Sequence, residues 1–560
     1  MEIARNISYT HGACDVPYIG LTCHEILEKR AEEIPDQPMY IFYSDQERVT
    51  FSEFKIKVER LAAGLLGQGL KRGDCVAALG SNHMEWPLLI AATRAIGVIM
   101  IRMQTGYTIQ IMKKTMIKTS CKALFLMRSP EDLYTKACTI IPELEKSEHG
   151  KIQSDEVARV QFVVAVGANN KRGTINLEHL VEVGNEERFM TAFKQARKLV
   201  SNDDISHTGF TSGSTGEPKL VPYTHFASLN SSYFSLDYLL KVKERNTRRM
   251  ICGANMAYIG GEFTGVAAPL VFGMTTVFPS PTYNFEKMLQ ATQDEKCTDI
   301  TMLLFGLFDL VNSSVSDKYD LSSLKNGLTG GSLVPLHLLQ EIDKKYGIRI
   351  LNAYGMSETG LAMSQLPSDS FEYSATTVGT IVPHAELKIV NKNGITVEVG
   401  EEGELWVRSP FACRRYYLND VATQEAFTDG GWFKTGDVGI LNKDGYLIIK
   451  GRIKNIINKF SRTIHPIEVE NVLAKNPAVQ KVQVVGVPDT RAGEEVCACI
   501  MLKENCTLTL EEVQSYCVEK VNANSMPGHI VIFDQFPLTT SGKFARAQIK
   551  KIAEERLQKK

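Results

Sequence analysis

Two hydrophobic periodicities alternate along the first 200 residues. Apolar residues recur at helical spacing over 22–33 and 51–69, and Gly67 and Gly69 close the second segment, as is typical of helix ends. Short apolar runs bounded by turn residues predict buried strands at 74–80, 98–103, 122–127 and 161–166, with another helix over 87–95. Helices that alternate with buried strands predict an α/β fold with a parallel sheet.

Length and composition narrow this picture. A chain of 560 residues exceeds the size at which one core keeps growing, so we expect at least two domains. An apolar content of 44% and a net charge of -1 are typical of a globular protein, and the lack of a basic excess argues against nucleic-acid binding. No run of about 18 apolar residues is present, so no integral membrane association is expected.

The ends and the cysteines indicate a reducing compartment. The opening MEIARNISYTHGACD has no apolar stretch and carries early acids, unlike a signal or transit peptide, and the terminal residues are not a peroxisomal signal. A cytosolic location is therefore expected. The 12 cysteines predict reduced thiols rather than disulfides, and the alternating run around Cys497 and Cys499 predicts that both pack into the core from one strand face.

The segment 208–225, TGFTSGSTGEPKLVPYTH, has the composition of a phosphate-binding turn. Small and hydroxyl residues leave backbone N–H groups free to surround a polyphosphate, and a lysine follows. Its glycine spacing does not fit a P-loop of the Walker type. A flexible Ser/Gly linker is the alternative, although Pro218 and apolar flanks argue against one. The candidate phosphate-binding residues are Thr211, Ser212, Gly213, Ser214, Thr215, Gly216 and Lys219.

The order Phe-Thr-Ser-Gly-Ser-Thr-Gly-x-Pro-Lys resembles the signature of the adenylate-forming (AMP-binding) superfamily, which includes acyl-CoA synthetases. SYTHGACDVPYIGLT and VQKVQVVGVPDTRAGEEVCACIMLK extend the similarity to the mitochondrial medium-chain fatty acyl-CoA ligase branch, so the resemblance covers nearly the whole chain. It implies an α/β fold with a large N-terminal AMP-binding domain over 1–450 and a small mobile C-terminal lid over 451–560. The site is expected in the cleft between them.

LKNGLTGGSLVP and NAYGMSETG resemble two further motifs of the superfamily, and their chemistry suits adenosine. Gly330 and Gly331 would let backbone approach a flat base, Tyr354 would stack on it, and Asn352 would bond its amino edge. Glu358 is the expected Mg²⁺ ligand, because Mg²⁺ prefers hard oxygen donors. By resemblance the nucleotide site also includes Ser332, Gly355 and Ser357.

Three later residues complete the expected site. Asp437 in WFKTGDVG would accept both ribose hydroxyls, with a Gly-Asp turn as the structural alternative. Arg452 would reach ribose or phosphate, although a solvated surface charge explains it equally well. Lys543 in PLTTSGKFAR would supply a cation while a carboxylate attacks the α-phosphate, so the expected catalytic residues are Lys543, Glu358 and Thr211.

The chain also departs from the superfamily pattern. Tyr258, beside the expected acyl pocket, stands where a histidine is expected, and core packing explains it equally well. The departures on the side of the second half-reaction include Asn455, which replaces the hinge aspartate, and Phe460 and Ser461, which replace a Gly-Gly turn. The resemblance predicts an ATP-dependent fatty acid:CoA ligase, AMP-forming, with medium-chain fatty acids as the expected substrates and ATP, Mg²⁺ and coenzyme A as co-substrates and cofactor. The alternative is a divergent paralogue that binds ATP or an acyl-adenylate without efficient thioester formation.

Overall fold

The computed structural model describes residues 6–558 except 149, 168–170, 212–217, 241–245, 332, 461 and 539–543, and of 238–240 the backbone alone. Up to residue 200 the elements are β1 (Tyr9–His11), α1 (Cys23–Glu33), β2 (Pro38–Phe42), β3 (Glu47–Thr50), α2 (Phe51–Gly67), β4 (Cys75–Leu79), α3 (Glu85–Ala95), β5 (Ile99–Arg102), α4 (Ile109–Lys118), β6 (Ala123–Leu126), α5 (Leu133–Ile140), β7 (Phe162–Ala165), β8 (Thr174–Asn176), α6 (Leu177–Val183) and α7 (Glu187–Ala196).

The elements continue to the end of the large domain with β9 (Ile205–Phe210), β10 (Leu220–Thr224), α8 (His225–Leu240), β11 (Arg249–Cys252), a π-helix (Gly261–Ala267), α9 (Ala268–Phe272), β12 (Thr275–Phe278), α10 (Phe285–Asp294), β13 (Asp299–Thr301), α11 (Leu304–Asn312), β14 (Asn326–Gly330), α12 (Leu336–Tyr346), β15 (Arg349–Met356), β16 (Gly360–Ser364), α13 (Phe371–Thr376), β17 (Thr380–Ile381), β18 (Glu386–Val390), β19 (Glu402–Arg408), α14 (Asp420–Ala426), β20 (Phe433–Leu441) and β21 (Leu447–Arg452).

The last elements are β22 (Ile457–Lys459), β23 (Arg462–Ile464), α15 (Pro466–Leu473), β24 (Val479–Asp489), β25 (Gly493–Leu502), α16 (Leu510–Cys517), β26 (His529–Ile532) and α17 (Arg546–Gln558). Single 3₁₀ turns occur at Leu144–Lys146, Arg197–Leu199, Ser316–Lys318, Ile453–Asn455 and Ala523–Ser525. The predicted α/β fold is confirmed, and each helix and strand expected in the first 200 residues is present within one or two residues of its predicted ends.

Three sheets build the large domain. One has the order β10-β9-β5-β4-β6-β7-β8, another the order β17-β16-β15-β14-β13-β11-β12-β2-β3, and the third the order β1-β18-β19-β20-β21. The first two are parallel through their centres; the first is antiparallel only at its β10 edge, and the second is antiparallel at both edges. In β4, Val76 and Ala78 face one apolar cluster, whereas Ala77 and Leu79 face another. This sheet is therefore buried on both faces, which explains its uninterrupted apolar runs.

The helices between the first two sheets begin at well-formed caps and pack closely. The side chains of Thr22 and Thr50 each accept a hydrogen bond from the backbone N–H of the glutamate three residues later. The side chain of that glutamate accepts one from the backbone N–H of the threonine, and these paired bonds cap the starts of α1 and α2. Gly64 in the middle of α2 lies against the Leu180 carbonyl, and a Cβ there would lie 1.9 Å from that oxygen. Gly69 has φ +84, the left-handed conformation that ends the segment as the glycine pattern predicted.

The C-terminal segment forms its own small α/β unit. β24 and β25 pair antiparallel over their whole length, with β22, β23 and β26 completing the sheet. Helices cover both of its faces, and the two faces contribute to separate apolar clusters. Cys497 and Cys499 are both fully buried in the cluster beneath α17, so the predicted shared strand face and core role are confirmed.

Candidate active site

A β-hairpin presents the predicted phosphate-binding turn. Phe210 at the end of β9 pairs with Leu220 at the start of β10, and the turn lies between them. The Thr211 N–H donates to the Lys219 carbonyl at 3.0 Å, and the Lys219 N–H donates to Thr211 Oγ1 at 3.0 Å. These two bonds close the base of the turn. The predicted residues Ser212, Gly213, Ser214, Thr215 and Gly216 lie outside the described residues.

The predicted adenosine residues lie at the carboxyl ends of two parallel strands. Gly330 in β14 pairs with Ala353 in β15, so both motifs reach the same sheet edge. Gly331 has φ +83, a conformation that favours glycine. A Cβ on Gly355 would lie 2.0 Å from the Gly360 carbonyl, so the turn to β16 requires glycine there too. Ser332 lies outside the described residues.

Glu358, the expected Mg²⁺ ligand, is a buried carboxylate beside this edge. It is 8% exposed, and the Tyr416 hydroxyl donates to its Oε1 at 2.7 Å. Burial raises the pKa of Glu358 above its usual value, and the Tyr416 hydrogen bond opposes that rise. Because Mg²⁺ is typically held by one or two carboxylates together with substrate phosphates and water, this single carboxylate fits a Mg²⁺–ATP complex.

Tyr354, Asp437 and Arg452 form a hydrogen-bonded chain. The Tyr354 hydroxyl donates to Asp437 Oδ2 at 2.7 Å, and Arg452 Nε lies 2.8 Å from Oδ1. Asp437 and Arg452 are direct neighbours across β20 and β21. Each carboxylate oxygen of Asp437 thus already has a donor, and ribose hydroxyls would have to use its second lone pairs or displace Arg452.

One cavity of about 1380 Å³ brings most of these residues together. Its wall contains the predicted residues Thr211, Lys219, Gly330, Gly331, Gly355, Ser357, Glu358 and Arg452. Tyr258 lines it as well, whereas Asn352, Tyr354 and Asp437 are not among the residues that line it. Lys543, the expected catalytic cation, lies outside the described residues.

Among the residues of this wall that the sequence did not single out are Arg102, His207, Glu262 and Tyr416. Arg102 Nη1 lies 2.7 Å from Glu262 Oε2, deep in the protein. A signal existed for the arginine, since it interrupts the apolar run VIMIRM, and a charge inside a buried strand requires a partner. Nothing in the local pattern of Glu262 or Tyr416 distinguishes them from ordinary core or surface positions.

A large α/β domain, a small C-terminal α/β domain and a cavity bordered by a hydroxyl-rich hairpin define the adenylate-forming class of enzymes. A family model described as AMP-binding enzyme matches residues 27–417, and one described as AMP-binding enzyme C-terminal domain matches 468–543. The chain belongs to the AMP-binding enzyme family, and within it to the acyl-CoA ligases.

Individual relatives agree with this assignment. The chain is 33% identical to the medium-chain acyl-CoA ligase ACSF2, mitochondrial, of Danio rerio, over 98% of this chain and 91% of that protein. The anthranilate CoA ligase AuaEII in complex with anthranoyl-AMP superposes with a TM-score of 0.85 at 22% identity, over 97% of this chain and 99% of that one. O-succinylbenzoate coenzyme A synthetase (MenE) from Bacillus subtilis, in complex with ATP and magnesium ion, has a TM-score of 0.77 at 25% identity, over 94% and 99%.

These findings confirm the predicted enzyme class, an acyl-CoA synthetase, and acyl-CoA ligases of this class use ATP, Mg²⁺ and coenzyme A. The predicted cytosolic location stays a prediction, because the ACSF2 relatives are named as mitochondrial proteins. Among the residues that the structure describes, none of the helices combines the length and the hydropathy that a membrane crossing requires.

Proposed function

We propose that the protein is an ATP-dependent fatty acid:CoA ligase, AMP-forming, that activates a medium-chain acid through an acyl-adenylate. The observation that carries this proposal is the shared cavity, whose wall combines Thr211, Lys219 and Glu358 with apolar residues such as Phe263 and Leu361. A cavity of about 1380 Å³ exceeds the usual ligand pocket of roughly 300–1,000 Å³, as two substrates bound together require. The ACSF2 relatives support the medium chain length.

In the first half-reaction, a carboxylate oxygen of the acid attacks the α-phosphorus of ATP, and the bond to the β-phosphate oxygen breaks. The turn closed by Thr211 and Lys219 would hold the phosphates, and Lys543 would offset the charge that builds up as two anions meet. Mg²⁺ held by Glu358 would neutralise the departing pyrophosphate. The products are the acyl-adenylate and pyrophosphate.

In the second half-reaction, the sulfur of coenzyme A attacks the acyl carbon, the bond between that carbon and the phosphate oxygen breaks, and AMP leaves. Asp437 and Arg452 would keep the adenylate in place through its ribose. We place the boundary between the large domain and the lid at residues 450 and 451, which lie inside β21, the last strand of the large domain's third sheet. Gly451 supports this boundary, because it has φ +137, and glycine reaches such backbone conformations without the strain that a Cβ would cause.

The alternative, a paralogue that stops at the adenylate, is favoured by one observation. Phe460, at the position where the superfamily pattern has glycine, adopts φ +50 and is 52% exposed. A bulky residue in a left-handed turn would hinder the approach of the pantetheine arm.

The test is pyrophosphate release from ATP and Mg²⁺ across short, medium and long fatty acids, with and without coenzyme A, with mass detection of the thioester. We expect thioester formation that is fastest with medium-chain acids. Pyrophosphate without thioester would favour a paralogue that stops at the adenylate, and ATP binding without pyrophosphate release for any acid would favour a paralogue that only binds the nucleotide; either result would contradict the ligase function.

A further inference from the structure

Part of the cavity wall is charged. We call Arg94, Arg102, His207 and Glu262 the charged floor; each is at most 2% exposed. Arg94 Nη2 lies 2.7 Å from Glu262 Oε1, and Arg102 Nη1 lies 2.7 Å from Oε2. Glu262 stands in the π-helix, an irregular helix type that is frequent at functional sites. The floor therefore joins α3, β5, β9 and the π-helix at one point.

The charged floor carries an excess of positive charge. Its two arginines hold the pKa of Glu262 well below the usual value against the opposing effect of burial, so this carboxylate is ionised. Burial lowers the pKa of Arg102 to about 10, which leaves it charged at neutral pH, and burial keeps His207 neutral by lowering its pKa well below 6.5. Among the described residues, no second carboxylate is within 4.0 Å of either guanidinium. Two cations thus share one anion.

Arg102 also has unused donors. Its Nη1 donates to the Met256 carbonyl at 3.1 Å, but its Nε and Nη2 are buried without a hydrogen-bond partner among the described residues. Buried polar groups are nearly always paired, and a buried unpaired charge is costly. Arg102, His207 and Glu262 line the large cavity, whereas Arg94 does not. Arg94 has two such nitrogens as well, Nε and Nη1, but of the two arginines only Arg102 borders the ligand space.

The distance from the phosphate turn suits a second functional group on the acid. Ile101 in β5 pairs with Thr208 in β9, so the next residue, Arg102, lies level with Gly209, two residues before Thr211. Two residues along a strand and one step between strands together give a separation on the order of 8–9 Å. An acid whose reacting carboxylate lies near Thr211 would thus reach Arg102 with the far end of a chain of medium length.

We propose that the acid substrate carries a second carboxylate at its far end, and that Arg102 binds it. The inference rests on the proposed function and narrows its acid to a medium-length α,ω-dicarboxylic acid. A guanidinium presents parallel N–H groups that match a carboxylate, and the added anion balances the two cations of the charged floor. The aliphatic part of the acid would contact the apolar wall.

Suberic acid and octanoic acid, which differ only in the terminal carboxylate, provide the test. Binding to the full chain is measured by calorimetry, and kcat/KM by pyrophosphate release. Arg102→Met removes the proposed contact, and Arg94→Met is the matched control, because it loses the same 2.7 Å contact to Glu262 at the same burial but away from the cavity. Arg102→Lys, which keeps the charge without the paired donors, replaces Arg102→Met if that variant does not fold.

We expect the protein to prefer suberic acid in binding and in kcat/KM, and Arg102→Met to reduce that preference on the order of 10- to 100-fold. Arg94→Met removes one cation of the charged floor but no donor on a residue that borders the cavity, so it should reduce the preference much less than Arg102→Met does, whatever it does to stability. Equal or better use of octanoic acid, or equal effects of the two variants, would overturn the proposal while leaving the ligase function intact. Tight suberic acid binding through Arg102 without pyrophosphate release would sustain the subsite and contradict the ligase function.

Discussion

At the scale of single residues, the proposed role of Glu358 as the Mg²⁺ ligand makes its protonation state decisive for the binding of Mg²⁺–ATP. Burial favours the neutral form of this carboxyl, and the Tyr416 hydroxyl favours the charged form. Because ligation requires the carboxylate, kcat/KM for ATP should fall as the pH drops through the raised pKa, at a higher pH than an ordinary glutamate would give. Tyr416→Phe removes a bond to the charged form, so it should move this acid limb to still higher pH.

Glu358→Gln is the companion variant. It should lower kcat/KM by at least about 100-fold and leave no acid limb from this residue. A pH profile that stays in place in Tyr416→Phe, or near-normal activity of Glu358→Gln, would show that another group holds the metal.

The motif around Lys543 predicts a catalytic role for this lysine. Its substitution should affect pyrophosphate release but not ATP binding. Since its charge is needed only as the acid attacks the α-phosphate, Lys543→Ala should reduce pyrophosphate release on the order of 100-fold or more and leave ATP binding near normal. Stopped-flow pyrophosphate detection and ATP calorimetry measure the two effects. Lys551→Ala, an exposed lysine in α17, serves as the control. Full pyrophosphate release in Lys543→Ala would refute the assignment.

Phe460 is the departure from the superfamily pattern that we expect to affect the rate of the second half-reaction most. Its N–H donates to the Ala492 carbonyl at 2.9 Å, which holds the turn, and its left-handed backbone costs about 1–2 kcal/mol for a non-glycine residue. Phe460→Gly combined with Ser461→Gly should increase coenzyme A-dependent turnover several-fold. Pyrophosphate release measured without coenzyme A should not change. Phe460→Ala removes the ring and keeps the Cβ. It therefore separates the bulk of the ring from the strain of a left-handed backbone as the cause of slow turnover. Unchanged turnover in both variants would contradict this role.

At the scale of elements, close helix packing rather than helix propensity governs α2. Alanine at an interior glycine normally stabilises a helix by about 1 kcal/mol. At Gly64, however, the added Cβ would lie 1.9 Å from the Leu180 carbonyl of α6, so Gly64→Ala should destabilise the large domain by about 1–3 kcal/mol in urea unfolding. Gly67→Ala in the same helix meets only side chains, at 3.2 Å or more, and should cost less. Equal costs would contradict the packing argument.

Helices and strands were predictable from the sequence where apolar residues kept one spacing over the whole segment. The runs that became β4 through β7 contribute apolar residues to clusters on both faces of the sheet, with Arg102 in β5 as the charged exception, and such short, almost uninterrupted apolar runs indicate buried strands. The π-helix gave no such signal, because its extra residue per turn is fixed by packing of the buried segment Gly261–Ala267. Its Glu262 meets Arg94 from 168 positions away, and local patterning contains no trace of a contact at that separation.

At the scale of the whole molecule, motif order predicted one shared site, and part of the predicted set does line one cavity, whereas Asn352, Tyr354 and Asp437 do not. Motif order did not predict which side chains these residues contact. Thr211, Gly330 and Glu358 line one wall although they come from two sheets. The chain from Tyr354 through Asp437 to Arg452 depends on cross-strand register, which the sequence does not specify. The predicted domain boundary at 450 and 451 stays a prediction.

The central claim is that acid and ATP combine in this cavity to form an acyl-adenylate, and oxygen transfer tests it most directly. The acid, labelled with ¹⁸O in its reacting carboxylate, is incubated with ATP, Mg²⁺ and coenzyme A, and the nucleotide product is analysed by mass spectrometry. Because the attacking carboxylate oxygen stays on phosphorus when the thiol displaces AMP, the account predicts AMP with one ¹⁸O atom for each thioester formed. Unlabelled AMP, or ADP and phosphate in place of AMP and pyrophosphate, would contradict it.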